Sequence, residues 1–158
     1  MASWKHVTEA APELAARVRA DFEAHKHKTL ATLRRDGSPR ISGTETIFAG
    51  DDLWIGSMWK AVKALDLRRD PRFALHGASQ SENWQADVKV AGVAEEVSDP
   101  VALEAVREAL GGAQPSGPSH MFRLDVRELV LTRLGEPADH LVIESWHEGR
   151  GLSRLERR

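Results

Sequence analysis

A hydroxyl and two ammonium groups, Ser57, Lys60 and Lys63, fall where a short apolar run gives way to an amphipathic one. Residues 53–56 are apolar, with Ile55 and Trp54, and read as a strand. Residues 57–69 place Val62 and Leu65, less regularly Ala61 and Leu67, among charges, the spacing of a surface helix. Asp70-Pro71 ends it, because the residue before a proline is pushed out of the helical region. Residues 72–75 resume a strand. Lysines three apart share one helical face, and the free N–H groups of a helix start add partial positive charge beside them. That combination is a phosphate seat. The same pattern also suits an ordinary solvated, lysine-bearing helix face.

A second stretch with chemical potential precedes it. Arg40-Ile41-Ser42-Gly43-Thr44-Glu45-Thr46 has a strand's length but few of the β-branched apolar residues a core strand prefers. A glycine within it predicts a bulge or a close approach of another group to the backbone. The alternative is a polar edge strand.

The elements that must position these residues follow from the rest of the chain. Thr8 is expected to cap one amphipathic helix that takes in Pro12 and repeats Leu14, Val18 and Phe22, ending near His25-Lys26-His27-Lys28. Two histidines alone, with no third ligand nearby, predict no metal site. Residues 29–34 and Pro39–Ala49, joined by Asp36-Gly37, make a hairpin. Residues 76–84 form a loop, and residues 88–97 a strand. Asp99-Pro100 starts a helix over 101–110, and residues 111–119 make a turn-rich loop. Strands at 121–132 and 141–146 complete the chain before an arginine-rich tail. Six or seven strands joined by turns and about three short helices close into a small barrel better than into a parallel sheet. No G-x-G-x-x-G or G-x-x-x-x-G-K-[ST] segment supports a dinucleotide fold or P-loop.

The chain has 158 residues, one domain's worth, with a formal net charge of −2 and no cysteine. Disulfides, thiol catalysis and cysteine-held metals are therefore excluded. The charge balance and scattered arginine pairs give no reason to expect nucleic acid. Nothing has the length of a signal or membrane segment, so no membrane partner and a cytoplasmic location are expected.

The order Gly56-Ser57-Met58-Trp59-Lys60-Ala61-Val62-Lys63, then Leu67 and Asp70-Pro71-Arg72, resembles the flavin-phosphate segment of the pyridoxamine 5′-phosphate oxidase-like family. Residues 143–149, Ile-Glu-Ser-Trp-His-Glu-Gly, with Arg150, Leu152 and Arg154 after them, are similar to that family's C-terminal segment. The resemblance implies a split β-barrel, mainly β with flanking helices (α+β), over residues 1–158, with a helix at about 8–25 and the barrel at about 28–148. It implies an FMN site with Lys63 and Ser57 on the phosphate and Met58 beside them. Lys60 replaces the family's usual arginine, whose position is Val62 here. Arg40, Ile41, Ser42, Gly43 and Thr44 would run along the flavin ring. Trp146 and Arg154 would complete the site, across the interface of a homodimer.

Where the oxidase carries a lysine for its substrate's phosphate, this chain has Glu45, and it has no tyrosine. Glu45 is thus the substrate-side candidate, and a substrate other than pyridoxamine phosphate is expected. No catalytic side chain is named. Coenzyme F420 on the same fold is the alternative cofactor. A flavin- or haem-holding protein without turnover is a third reading, with His76, His120, His140 and His147 as possible haem ligands.

Overall fold

The computed structural model describes residues 2–77, 83–112 and 117–158. Parts of the loops expected at 76–84 and 111–119 lie outside the described residues.

Among the described residues eight strands carry the fold: β1 (His27–Leu33), β2 (Pro39–Ala49), β3 (Asp52–Met58), β4 (Arg72–Gly77), β5 (Ala86–Glu96), β6 (Ser119–Leu134), β7 (Leu141–His147) and β8 (Gly151–Arg157). Their order is β3-β2-β1-β4-β5-β6-β7-β8, and β6 also pairs with β3, so the first six strands close into a barrel. All pairings are antiparallel. Most strands alternate between buried and open positions, as a sheet with one covered face requires.

β6 explains the split. Its first residues, Ser119–Arg123, pair with β3, and Glu128–Leu134 pair with β7 on the same side. Between them the chain's own start fills the seam: the Val126 N–H donates to the Ala2 carbonyl at 3.0 Å, and the Ala2 N–H to the Asp125 carboxylate at 2.6 Å. The β5–β6 ladder shifts register at Ala91/Gly92. A side chain at Gly92 would place its Cβ 1.9 Å from the Asp125 carbonyl oxygen, so glycine is required at that irregularity. Gly43, by contrast, sits in regular register opposite Thr29 with open space above it, so β2 carries no bulge there; the irregularity lies in the β5–β6 ladder, where Arg127 of β6 is the extra residue between the Gly92–Val126 and Ala91–Glu128 pairs.

The helical N-terminus differs from the single helix expected. α1 (Trp4–Ala10) and α2 (Pro12–Ala24) are separate, broken at Ala11. Ser3, not Thr8, caps α1: its hydroxyl accepts from the His6 N–H at 3.1 Å. Thr8 lies inside the helix and donates to the Trp4 carbonyl. Leu14, Val18 and Phe22 of α2 are buried as the spacing predicts, in one core with Leu30, Leu75, Val88, Val90, Phe122 and Leu129. α2 ends against Lys28, whose buried ammonium donates to the carbonyls of Phe22 and His25, a cation on the negative end of the helix.

α3 (Val62–Arg69) is shorter than expected, and residues 57–61 are outside it. It also turns another face inward. Val62 and Leu65 are exposed, while Ala64, Asp66 and Leu67 are buried. The cause is electrostatic: Asp66 accepts from Arg40 Nε at 2.6 Å, Arg69 at 2.9 Å and the Thr32 hydroxyl at 2.9 Å. Those bonds pin α3 to β1 and β2. At α4 (Glu104–Ala109) the Asp99 carboxylate does accept from the Val101 and Ala102 N–H groups, ahead of a helix that starts later than expected. The C-terminal residues are no loose tail. They form β8, paired along its whole length with β7.

Candidate functional site

β2 outruns β3. Thr46–Ala49 pair with β3, but residues 40–45 pair only with β1 and leave their other edge open. The Gly43 carbonyl faces that open side, since it accepts from Lys63 Nζ at 2.7 Å. Because successive residues of a strand alternate in direction, the backbone groups of Ile41 and Glu45 face the same way. This free edge, the end of β3 and the start of α3 enclose a cleft of about 700 Å³. Gly43, Thr44 and Glu45 line it from β2; Gly56, Ser57 and Met58 from β3; Trp59, Ala61 and Lys63 from the following turn and helix; His120 and Met121 from β6. That volume is in the range of small-molecule sites.

Lys63 is the cleft's central cation. Its ammonium uses one N–H on Gly43, leaving two for a ligand, and burial holds its pKa below the usual lysine value. It lies in the first turn of α3, where the Ala64 N–H already donates to the Ala61 carbonyl at 2.9 Å and the N–H groups of Val62 and Lys63 precede the helical ladder. Ser57 is half-buried on the same wall. Glu45 faces the cleft with its carboxylate 3.6 Å from Lys26 Nζ and 3.8 Å from His27 Nδ1. The site therefore has a cationic end and an end where an acid is only loosely paired.

Several residues singled out in the sequence are elsewhere. Lys60 is outside α3, in a left-handed bend (φ +59°), so it shares no helical face with Lys63. Arg40 is turned to Asp66 and lines a separate hollow with Arg34, Arg35 and Arg69. Ile41 is 75% exposed on the side away from the core, and Ser42 is half-buried; neither lines the cleft. Trp146 is 3% exposed, packed in the main core edge-on to His6. Its register partner is Leu129, and the β6 segment from His120 to Leu129 covers roughly 30 Å at about 3.3 Å per residue. Trp146 thus serves this chain as a core aromatic: the alternation of β7 turns it inward. Arg154 lies on β8 beside a different hollow, with Glu13 and Glu144.

The sequence reading missed a cluster at the cleft's rim. The His120 ring is buried, with Nδ1 2.6 Å from Glu96 Oε1 and Nε2 accepting the Lys60 N–H at 3.1 Å. Trp59 lies on it at 4.7 Å and 13°. No local spacing announces this, since its members come from β5, β6 and a turn. With both ring nitrogens engaged, His120 has none left for haem iron. His76, His140 and His147 each lie beside a carboxylate, of Asp87, Asp139 and Glu128. Among the described residues no group of three or more histidine or carboxylate side chains is placed to hold a metal. None of their helices is long and apolar enough to cross a membrane.

The sequence profile of the family described as pyridoxamine 5′-phosphate oxidase matches residues 14–133. Among solved structures, PhzG from Burkholderia lata 383, determined with tetrahydrophenazine-1-carboxylic acid, is 16% identical with a TM-score of 0.65 over 96% of this chain and 91% of that one. A pyridoxamine 5′-phosphate oxidase-related, FMN-binding protein from Nostoc punctiforme PCC 73102 is 17% identical, with a TM-score of 0.62 over 95% of each chain. The haem storage protein HutZ from Vibrio cholerae is 18% identical, with a TM-score of 0.55 over 73% of this chain and 88% of that one. A search of curated proteins returns no match.

Proposed function

Because the chain belongs to the pyridoxamine 5′-phosphate oxidase family, with that family's split barrel, we propose that the cleft holds FMN and that the protein is a flavin-dependent oxidoreductase. The observation that carries this reading is the joint placement of Lys63, Ser57 and the free edge of β2 around one cleft. Lys63 would hold the phosphate with its two remaining N–H groups and the first turn of α3, and Ser57 would donate a further bond. The N–H of Gly43, on the open edge of β2, would meet the polar rim of the ring system, where no Cβ stands in the way. When bound, FMN supplies hydride exchange with a substrate, and the protein's part is position, a partly dry pocket and hydrogen bonds.

Glu45 sets the substrate side. A carboxylate at the cleft's edge repels a phosphate ester and favours a neutral or cationic substrate, so pyridoxine 5′-phosphate is expected to be turned over poorly. A second copy of the chain is expected to cover the open side of the cleft, where Met58 is 81% and Trp59 49% exposed. Arg154, remote from the cleft within one chain, would reach it only from that copy.

The test is purification followed by release of the bound chromophore. A yellow protein yielding FMN after denaturation supports the reading. F420 released instead would keep the site and replace the cofactor, since both carry a phosphate on the same arm. A colourless protein that takes up neither at micromolar concentration would defeat it. Light scattering of the flavin-loaded protein is expected to give a dimer mass, and a monomer would refute the role of the second copy.

A further inference from the structure

The turn between β3 and α3 has a shape its sequence does not favour. The Ala61 N–H donates to the Met58 carbonyl at 3.1 Å, closing a four-residue turn over 58–61. Its third residue, Lys60, has φ +59°, the pattern of a type II turn, which calls for glycine or asparagine at that place. Among the described residues Lys60 is the one non-glycine with positive φ. Something outside the turn must hold it.

The Lys60 N–H points out of the turn and donates to Nε2 of His120 at 3.1 Å. A ring nitrogen that accepts carries no proton, so the neutral ring has its proton on Nδ1, donated to Glu96 Oε1 at 2.6 Å. The ring also stacks with Trp59 and Phe122, whose ring centroids lie 4.7 and 6.2 Å from its own. His120 is also the register partner of Ser57. One buried imidazole therefore touches the turn, its aromatic cover and the strand position of the cleft's hydroxyl.

We propose that His120 is a positioning residue of the phosphate seat: neutral, with its proton on Nδ1, it holds the 58–61 turn in the shape that aims Ser57 and Lys63 into the cleft, and it releases that turn when protonated. This rests on the flavin reading for its effect on affinity but not for its effect on the turn. Protonation puts N–H on both sides of the 3.1 Å contact, so a hydrogen bond becomes a repulsion. The charged groups facing the ring are Glu96 from β5 and, through it, Arg68 of α3, 2.9 Å from the other Glu96 oxygen; Lys60 meets the ring with its backbone N–H. Arg68 draws on the carboxylate that would otherwise favour the charged ring. Imidazole is the side chain whose charge responds to pH in the physiological range, so pH is the variable that tests the release.

The first experiment needs no substitution. The Lys60 amide of the apo-protein, followed by 15N NMR and hydrogen exchange from pH 8 to 5.5, is expected to shift and lose protection as pH falls. The second compares FMN dissociation constants over the same range. His120→Gln places an amide oxygen near the Nε2 position and does not titrate, while His120→Phe keeps a ring for Trp59 but no acceptor. At pH 8, His120→Gln should bind within about threefold of wild type, and His120→Phe about tenfold more weakly. Between pH 8 and 5.5 wild-type affinity should fall below that of His120→Gln, towards that of His120→Phe; the titration of the ligand's own phosphate is common to all three and cancels. A Lys60 amide indifferent to pH, or equal wild-type and His120→Phe affinities at pH 8, would overturn the proposal. Absence of any FMN binding by the wild type, with the Lys60 amide still responding, would defeat the flavin reading and the affinity claim with it, and would support the hold on the turn.

Discussion

Two regions of this chain resemble parts of a flavin site, and they lie at opposite ends of β6. At one end, β2, β3 and α3 leave backbone and an ammonium open to a cleft. At the other, β7 and β8 tuck Trp146 into the apolar core. The first has the properties a ligand needs: polar groups with hydrogen-bonding capacity to spare, lining one cleft. The second has those a fold needs: a large aromatic ring buried among apolar side chains. A motif's likeness reports where a residue stands in the chain, and the neighbours decide whether it faces a ligand or the core.

Substitutions at the two ends should therefore fail in different ways. The largest effect belongs to Trp146. Trp146→Ala is expected to cost about 3–5 kcal/mol of stability, read by denaturant unfolding, because it empties a buried aromatic site. If stability held and only flavin affinity fell, the contrast between the ends would collapse. Next is Asp66, which joins α3 to β1 and β2 of the barrel. Asp66→Asn should cost about 3 kcal/mol, the low end for a broken buried pair because Arg40 and Arg69 both reach solvent.

Asp66 also predicts an acid dependence. Burial works to raise its pKa, but hydrogen bonds from Arg40, Arg69 and Thr32 outweigh it and leave the group below its ordinary value. A depressed carboxylate stabilises the fold above the unfolded pKa of about 3.9, and that contribution fades as pH falls through the lower folded value. Wild-type stability should thus drop more steeply below about pH 4 than that of Asp66→Asn. Parallel acid curves would remove Asp66 from the account.

The effects at the open end are smaller and fall on binding. Lys63→Ala should weaken FMN by about 1.5–3 kcal/mol, the worth of a charge-assisted phosphate contact, while unfolding shifts by less than about 0.5 kcal/mol. Unchanged affinity would sink the phosphate seat. Ser57→Ala is the mildest, at about 1 kcal/mol in affinity for one neutral hydrogen bond. Equal losses at Ser57 and Lys63 would argue that the wall's shape, not its charge, does the holding.

Much of this was legible in the chain. The hairpin at β1–β2, the strand limits of β2, the Asp70-Pro71 stop and the buried stripe of α2 follow from patterns a few residues long, because turn chemistry and side-chain periodicity act locally. That Lys63 and Ser57 stand close together was visible for the same reason: the strand end, turn and helix start that present them to one cleft are contiguous in sequence. What only the tertiary structure decided were relations between distant segments. Asp66 draws three donors from three elements, and so turns α3 to bury a charge and expose Val62 and Leu65. That same pull removes Arg40 from the cleft. Lys60 leaves the helix because His120, brought across from β6, accepts its N–H. β8 pairs with β7, turning an apparent tail into a strand. Each is a hydrogen bond or ion pair closed across the fold between segments far apart in sequence, and so invisible to any window along the chain.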